Sequence, residues 1–311
     1  MRPATSNRLF GILCVLALAL GSASAQNAAS GQVLPKRMAS VAESEFSEFN
    51  DSGDKSPTAG HNTRSSGPVR YHGGPVLLGT PNVYYIWYGD WASDNAPSIL
   101  SDLMNSLGGS NYLRIASTYF DANGQRPSGN VALAGAANDE YSHGRALSDS
   151  DVKEIVSESI ANGRLPKDAN GVYFVLGAED VNETSGLCVQ YCGWHSSANL
   201  LGSDIKYAFI GNPARCPSAC EPQTNSPNDN PAADAMASVV VHELSESITD
   251  PDLNAWYDRR GMESADKCSW SFGATQTAAN GSYYNLTLGA RQFLIQQSWV
   301  NAFGGYCSLS Y

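Results

Sequence analysis

The stretch Asn82-Val-Tyr-Tyr-Ile-Trp-Tyr88 is an apolar and aromatic run that lies between turn-forming residues. Runs of this length and composition, bounded in this way, predict buried β-strands. Three further runs share these features, namely Val131-Ala-Leu-Ala134, Gly171-Val-Tyr-Phe-Val-Leu176 and Ile205-Lys-Tyr-Ala-Phe-Ile210. These four strands form the predicted framework of the fold.

Segments with helical spacing of their apolar residues lie between the strands. They span residues 96–107, 112–120 and 149–162, and the last one follows a capping box formed by Ser148 and Asp151. Alternation of strands and helices predicts a single layered domain of the α/β or α+β class, with a mixed sheet and flanking helices. Residues 291–297 and 304–311 are expected to add strand or loop.

The longest predicted helix spans residues 231–249. Asn230 is a good capping residue, Pro231 fits the first helical position, and Pro251 disfavours helix just before it. Apolar residues such as Val240 and Leu244 fall on one side, whereas His242, Glu246, Thr249 and Asp250 form a stripe on the other. The apolar face is therefore expected to pack on the sheet, and the other face to present ligands.

That stripe contains His242-Glu243-Leu-Ser-Glu246, which is the zinc-protease motif HExxH with glutamate in place of the second histidine. In HExxH the first and fifth residues bind zinc from successive helical turns, and the glutamate after the first histidine polarises the metal-bound water. The motif thus predicts His242 and Glu246 as zinc ligands and Glu243 as the general base. The alternative is an acidic helix face that binds no metal.

A further ligand must come from beyond the helix, where oxygen-bearing side chains are dense. Glu263 is the first choice, Asp266 the second and Asp250 the third. Calcium is an alternative to zinc because Asp250-Pro-Asp-Leu-Asn254 resembles the start of an EF-hand loop. The EF-hand itself is excluded, since Ala255 and Gly261 stand where glycine and glutamate are required, but another type of calcium site remains open.

The N-terminus has the pattern of a secretory signal peptide over residues 1–25. Arg2 and Arg8 precede the apolar run from Leu9 to Leu20, and Ser22-Ala-Ser-Ala25 offers a small-residue cleavage site. The apolar run is too short to span a bilayer, so a secreted, extracellular protein without a membrane span is expected. Residues 26–66 are polar and lack periodicity, which predicts a disordered leader or propeptide before a domain at 67–311.

Removal of the signal peptide leaves an even set of cysteines in an oxidising compartment, which predicts up to three disulfides. They are Cys188, Cys192, Cys216, Cys220, Cys268 and Cys307. The sequence does not fix their pairing, although Cys268 with Cys307 is our guess. The first four could instead form a zinc knot.

Composition excludes several classes of function. The formal net charge is −11, and there is no basic patch to neutralise phosphates, which argues against a nucleic-acid partner. No GxSxG elbow appears, and the mature cysteines are expected to be paired, so a serine or cysteine hydrolase is disfavoured.

Four segments resemble the phosphate-induced protein 1 family, also called EXORDIUM, and the resemblance covers nearly all of residues 67–311. The segments are Tyr71-His-Gly-Gly-Pro75, Val83-Tyr-Tyr-Ile-Trp-Tyr-Gly89, Cys188-Val-Gln-Tyr-Cys-Gly-Trp-His195 and Cys216-Pro-Ser-Ala-Cys220. The resemblance implies a secreted protein like the plant members, which are wall-space proteins associated with growth and have no agreed biochemical activity. His72 and His195 lie in these segments, and we expect structural roles for them, with metal ligation as the alternative.

Residues 242–268 are similar to a segment of microbial secreted proteins described as peptidases, which implies a microbial branch of the family with an intact HExxE site. The sequence thus leads to two hypotheses. The first is a secreted zinc-dependent hydrolase, a peptidase that acts on an extracellular protein or peptide. The second is a non-catalytic extracellular protein that binds a wall or matrix component and uses a cation, zinc or calcium, for stability.

Overall fold

The computed structural model describes residues 54–57 and 67–311, so the predicted signal peptide and most of the predicted leader lie outside the described residues. The strands, in chain order, are β1 (Asp54–Pro57), β2 (Arg70–Tyr71), β3 (Asn82–Tyr88), β4 (Ala132–Asp139), β5 (Ala146–Leu147), β6 (Gly171–Gly177), β7 (Asn182–Glu183), β8 (Tyr191–Leu200), β9 (Ser203–Ile210), β10 (Trp256–Tyr257), β11 (Gln276–Thr277), β12 (Tyr283–Tyr284), β13 (Leu286–Leu288), β14 (Arg291–Phe293), β15 (Ser298–Val300) and β16 (Tyr306–Ser308). The α-helices are α1 (Ala96–Leu107), α2 (Asp149–Ala161), α3 (Pro217–Cys220) and α4 (Pro231–Thr249), and short 3-10 helices span Leu113–Thr118, Pro213–Arg215 and Asp266–Cys268.

The main sheet has six strands in the order β1-β8-β9-β6-β3-β4. Strands β9, β6, β3 and β4 run parallel, whereas β8 is antiparallel to β9, and β1 is antiparallel to β8. The four predicted strands are the four parallel ones, and the predicted mixed α/β architecture is confirmed. Strand β3 is buried from Val83 to Tyr88 because both of its faces are covered, which explains its unbroken apolar run.

Helix α4 packs against β8 and β9 and also contacts α1. The backbone of Gly193 in β8 permits this close approach, because a Cβ there would lie 2.7 Å from the Cγ1 atom of Val239. The predicted bounds of α1 and α4 are confirmed, and α2 ends one residue before its predicted end. Residues 112–120, expected to be α-helical, contain a short 3-10 helix instead.

Strand β8 is a long strand of the main sheet that the sequence does not predict. Its sequence, Tyr-Cys-Gly-Trp-His-Ser-Ser-Ala-Asn-Leu, mixes small polar residues with apolar ones and contains no apolar run. It nevertheless pairs with β9 from Gly193 to Leu200. Tertiary pairing with an apolar neighbour has overridden a weak local preference.

Strand β1 lies within the segment that was expected to lack structure. Asp54 stands opposite His195 and Pro57 opposite Tyr191, so these four residues extend the sheet beyond β8. The expectation of disorder over residues 26–66 therefore does not hold for residues 54–57. The reason is that the edge of β8 supplies hydrogen-bond partners that an isolated polar segment lacks.

Three disulfides join Cys188 to Cys216, Cys192 to Cys220 and Cys268 to Cys307. The guessed pairing of Cys268 with Cys307 is confirmed, and the zinc knot is excluded because its four sulfurs are bonded in pairs. Disulfides of this kind fit an oxidising compartment. Among the described residues, no helix has both the length and the apolar character needed to cross a membrane.

Candidate metal centre

Helix α4 begins as the sequence predicts and carries the motif through the interior. The side chain of Asn230 accepts a hydrogen bond from the backbone N–H of Ala233 at 3.0 Å, and Pro231 occupies the first turn. Both faces of the helix are buried, because the polar stripe packs under the segment that follows the helix rather than facing solvent. The motif side chains are therefore desolvated, and their mutual contacts determine their charge states.

His242, Glu246 and Asp266 converge at one point. The Nε2 atom of His242 lies 3.1 Å from Oε2 of Glu246 and 3.4 Å from Oδ1 of Asp266. The potential ligand atoms of these three residues all lie within 4.8 Å of one another, and the residues are at most 3% exposed. One imidazole and two carboxylates are a donor set that suits zinc.

The carboxylate of Glu246 also holds the downstream segment against the helix. Its Oε1 atom accepts hydrogen bonds from the backbone N–H groups of Ala265 and Asp266, at 2.9 and 2.8 Å. These bonds hold the start of the 3-10 helix Asp266–Cys268. The disulfide from Cys268 to Cys307 holds its end. Glu246 thus helps to hold Asp266 in place.

Glu263, the first choice of the sequence analysis, contacts a different histidine. Its Oε2 atom lies 3.1 Å from Nε2 of His195, and both residues are buried. His195 belongs to a second group with Glu243 and Glu246, whose potential ligand atoms also lie within 4.8 Å of one another. Glu246 therefore connects the two groups, and the group of His242 includes Asp266.

Gln296 contacts the other ring nitrogen of His242 through its side-chain amide, which meets Nδ1. An imidazole that binds metal through Nε2 carries its proton on Nδ1, and the amide oxygen of Gln296 would then accept that proton after a half-turn of the amide. Gln296 is only 7% exposed. It lies after β14, far from the helix motif in the sequence, so no motif spacing reveals it.

The cluster concentrates negative charge in the interior. Four carboxylates, those of Glu243, Glu246, Glu263 and Asp266, are buried beside two imidazoles. Burial lowers the pKa of His242, but the charge of Glu246 and a hydrogen bond to Asp266 raise it more, so this pKa lies well above its ordinary value. The raised pKa favours the protonated imidazole, and a metal bound at Nε2 would displace that proton.

Asp250, the third choice as ligand, shapes the turn after α4. Its Oδ1 atom accepts hydrogen bonds from the backbone N–H groups of Asn254 and Ala255, at 2.7 and 2.6 Å. His72 also lies outside the cluster, because its ring stacks on Tyr257 at 3.7 Å and its Nε2 atom lies 3.1 Å from the carbonyl oxygen of that residue. Both residues therefore organise the surrounding loops.

A small cavity adjoins His242. Its volume is about 20 Å³, which suits a single water molecule. Its lining combines the second disulfide, the helix and aromatic side chains, and includes Cys192, Cys220, Val239, Trp270, Phe272 and Gln296. The cavity is large enough for a water molecule beside the histidine but too small for a peptide.

A third group of potential ligands, His143 with Asp151 and Glu154, lies at the surface. The Nδ1 atom of His143 is 3.3 Å from Oδ1 of Asp151 and 3.9 Å from Oε2 of Glu154. Asp151 already serves the capping box of α2, which the structure confirms. This group is therefore a partly solvated cluster at the start of a helix.

The sequence of this chain is similar to known proteins over most of its length. Residues 69–307 match the model of the phosphate-induced protein 1 conserved region. The chain belongs to the phosphate-induced protein 1 family. Protein EXORDIUM-like 5 from Arabidopsis thaliana is 31% identical over 273 residues, which cover 74% of this chain and 75% of that protein. Protein EXORDIUM-like 3 from the same plant is 30% identical over a match that covers 77% of this chain and 82% of that protein.

A tobacco member of the family, Protein PHOSPHATE-INDUCED 1 from Nicotiana tabacum, is 26% identical over 64% of this chain and 71% of its own length. No solved structure matches the chain. The names of these relatives specify no chemical activity. The family resemblance inferred from the sequence is thus confirmed, whereas a separate microbial branch stays a prediction.

The sequence predicts the helix residues of the centre but not their full surroundings. His195, for which a structural role is expected with metal ligation as the alternative, lies in the group of Glu243 and Glu246. Its position in a shared family segment was the available signal, and the unrecognised strand β8 obscured it. Gln296 gave no signal at all, because an amide far along the chain matches no metal-binding pattern.

Proposed function

We propose that this member of the phosphate-induced protein 1 family is a secreted zinc-dependent hydrolase that acts on extracellular proteins or peptides. The observation that supports the proposal is the convergence of His242, Glu246 and Asp266 within 4.8 Å, with Glu243 on the same helix. The HExxE spacing and the buried imidazole–carboxylate chemistry of the donor set both suit zinc.

In this proposal His242, Glu246 and Asp266 would hold the metal, which when bound would supply Lewis-acid polarisation of a carbonyl and a water of lowered pKa. Glu243 takes the proton of the attacking water and returns it to the leaving amine. Gln296 orients His242, and the two N–H bonds to Glu246 orient that carboxylate. Glu263 contacts His195, and its role as a ligand stays a prediction to be tested against that of Asp266.

A second candidate follows from the complete burial of the centre. Glu243 and Glu246 have no exposed surface, and the adjoining cavity of about 20 Å³ admits one water molecule. A centre closed in this way suits a cation, zinc or calcium, that joins α4 to the disulfide-linked segment after it. The protein would then be a non-catalytic extracellular protein that contacts a wall or matrix component.

The variant Glu243→Gln separates the two candidates. It keeps the size of the side chain but removes the proton acceptor, so the hydrolase should retain its zinc and lose at least 100-fold in turnover. The measurement combines a peptide-library digestion, read by mass spectrometry, with metal analysis of the same samples. His143→Ala is the matched control and should digest like the parent.

Turnover by Glu243→Gln at the rate of the parent would remove Glu243 from the mechanism. Absence of turnover in a zinc-loaded parent, together with a melting temperature that falls on chelation, would favour the non-catalytic candidate.

A further inference from the structure

The outer edge of β8 is occupied by β1. The two strands pair antiparallel, with Asp54 opposite His195, Lys55 opposite Trp194, Ser56 opposite Gly193 and Pro57 opposite Tyr191. Strand β1 also lies against α4. Without β1, this part of β8 would present a row of backbone N–H and C=O groups, which is a template for pairing with another extended chain.

Strand β1 does not come from the family domain. The family match begins at residue 69, whereas β1 ends at Pro57. The other five strands of the sheet all come from the matched region. The strand therefore derives from the segment that the sequence predicts to be a leader, and the domain by itself leaves β8 as an edge.

The edge of β8 is held in place by covalent and packing constraints. Cys192, within the strand, is bonded to Cys220 at the end of α3, and Cys188 just before it is bonded to Cys216. Gly193 lets α4 approach from one face, since a Cβ there would meet Val239. A strand fixed in this way loses little conformational freedom when a partner chain binds, which favours association.

The same edge runs beside the candidate metal centre. His195, opposite Asp54, is fully buried, lies 3.1 Å from Glu263 and groups with Glu243 and Glu246. A chain paired with β8 between Tyr191 and His195 therefore passes next to the residues that would perform hydrolysis.

We propose that the edge of β8 from Tyr191 to His195 is a binding site for an extended polypeptide, which adds as an antiparallel strand, and that β1 occupies this site in the uncut chain. The ligand class is a peptide without stable structure of its own, recognised through its backbone. That the bound peptide is a substrate rests on the proposed hydrolase function, whereas binding at the edge does not.

The test inserts the recognition sequence of a site-specific protease between residues 58 and 66 of the full chain, which is folded with its disulfides intact and then cut. Binding of a fluorescent synthetic peptide with the sequence of residues 51–60 is measured by polarisation for cut and uncut protein. The cut protein should bind the labelled peptide, and unlabelled peptide should displace it. The uncut protein should bind at least tenfold more weakly, because β1 is tethered at the site.

Two control peptides carry the same side chains but are N-methylated, one at Lys55 and the other at Ser56. In an antiparallel ladder, only alternate residues direct their N–H toward a given partner strand. One methylation should therefore weaken binding about tenfold through loss of a hydrogen bond, and the other should change it by less than about threefold. Equal binding by cut and uncut protein, or no weakening by either methylation, would overturn the proposal.

The experiment is repeated with His242→Ala, which removes a metal ligand but no part of the edge. Peptide binding that persists in this variant supports the edge site even if the hydrolase hypothesis fails. Loss of binding in a folded His242→Ala protein would show that binding depends on the buried centre rather than on the edge of β8, and would overturn the proposal.

Discussion

Among the described residues, a buried group and a surface group of one histidine with nearby carboxylates have similar distances but different surroundings. In the interior, Nε2 of His242 lies 3.1 Å from Glu246 and 3.4 Å from Asp266. At the surface, Nδ1 of His143 lies 3.3 Å from Asp151, whose side chain is 31% exposed, and the side chain of Glu154 is 55% exposed. The distances are alike, and burial is what separates the candidate metal centre from the surface cluster.

The difference is physical, because water screens the surface group and solvates its carboxylates. The pKa of Asp151 is lowered mainly by hydrogen bonds from the side chain and backbone of Ser148, so this carboxylate is already committed to the helix cap. In the interior group, the carboxylates raise the pKa of His242 against the opposing effect of burial. There a cation would replace a proton in a site where charge is costly.

The largest expected effect within the buried group comes from Asp266. The variant Asp266→Asn removes a charged ligand in this account and should weaken zinc binding more than 100-fold, beyond what loss of an orienting contact costs. Glu263→Gln is the matched control, because it removes the same charge from the contact with His195 and should weaken binding less than tenfold. Competition titration with a chromophoric chelator measures both affinities. A larger loss in Glu263→Gln would restore Glu263 as the third ligand.

A smaller effect is expected at Gln296, which orients the ring of His242. The variant Gln296→Leu should weaken zinc binding about tenfold, within the range observed when partners of metal-binding histidines are removed. Gln296→Glu should restore the affinity, because a carboxylate also accepts the Nδ1 proton. The same chelator titration reports both changes, and an unchanged affinity in Gln296→Leu would show that the amide does not orient the ligand.

The smallest effect is expected in the surface group. Asp151→Ala removes half of the capping box of α2 and should lower the free energy of unfolding by about 1 kcal/mol or less, without changing metal content. Because the folded-state pKa of Asp151 lies below its ordinary value, this contribution is present at neutral pH and is lost as the pH falls through the lowered pKa. Urea unfolding at neutral and acidic pH measures it, and a zinc content that falls in Asp151→Ala would erase the contrast between the groups.

The sequence predicts those elements whose formation depends on local patterns of residues. The four parallel strands and α4 follow from apolar runs and capping residues, and α4 has the predicted bounds. Strand β8 and the partners of the motif do not follow, since they depend on tertiary pairing. Glu263 and Asp266 are three residues apart and chemically alike, so their sequence positions do not distinguish them, whereas the N–H bonds from residues 265 and 266 to Glu246 hold Asp266 near the helix.

The most direct test of the central claim is the zinc content of the purified, dialysed protein beside His242→Ala and His143→Ala, measured by elemental analysis. We expect about one zinc per chain in the parent and in His143→Ala, and none in His242→Ala. Retention of zinc by His242→Ala, or its absence from the parent even after reconstitution, would contradict the buried metal centre.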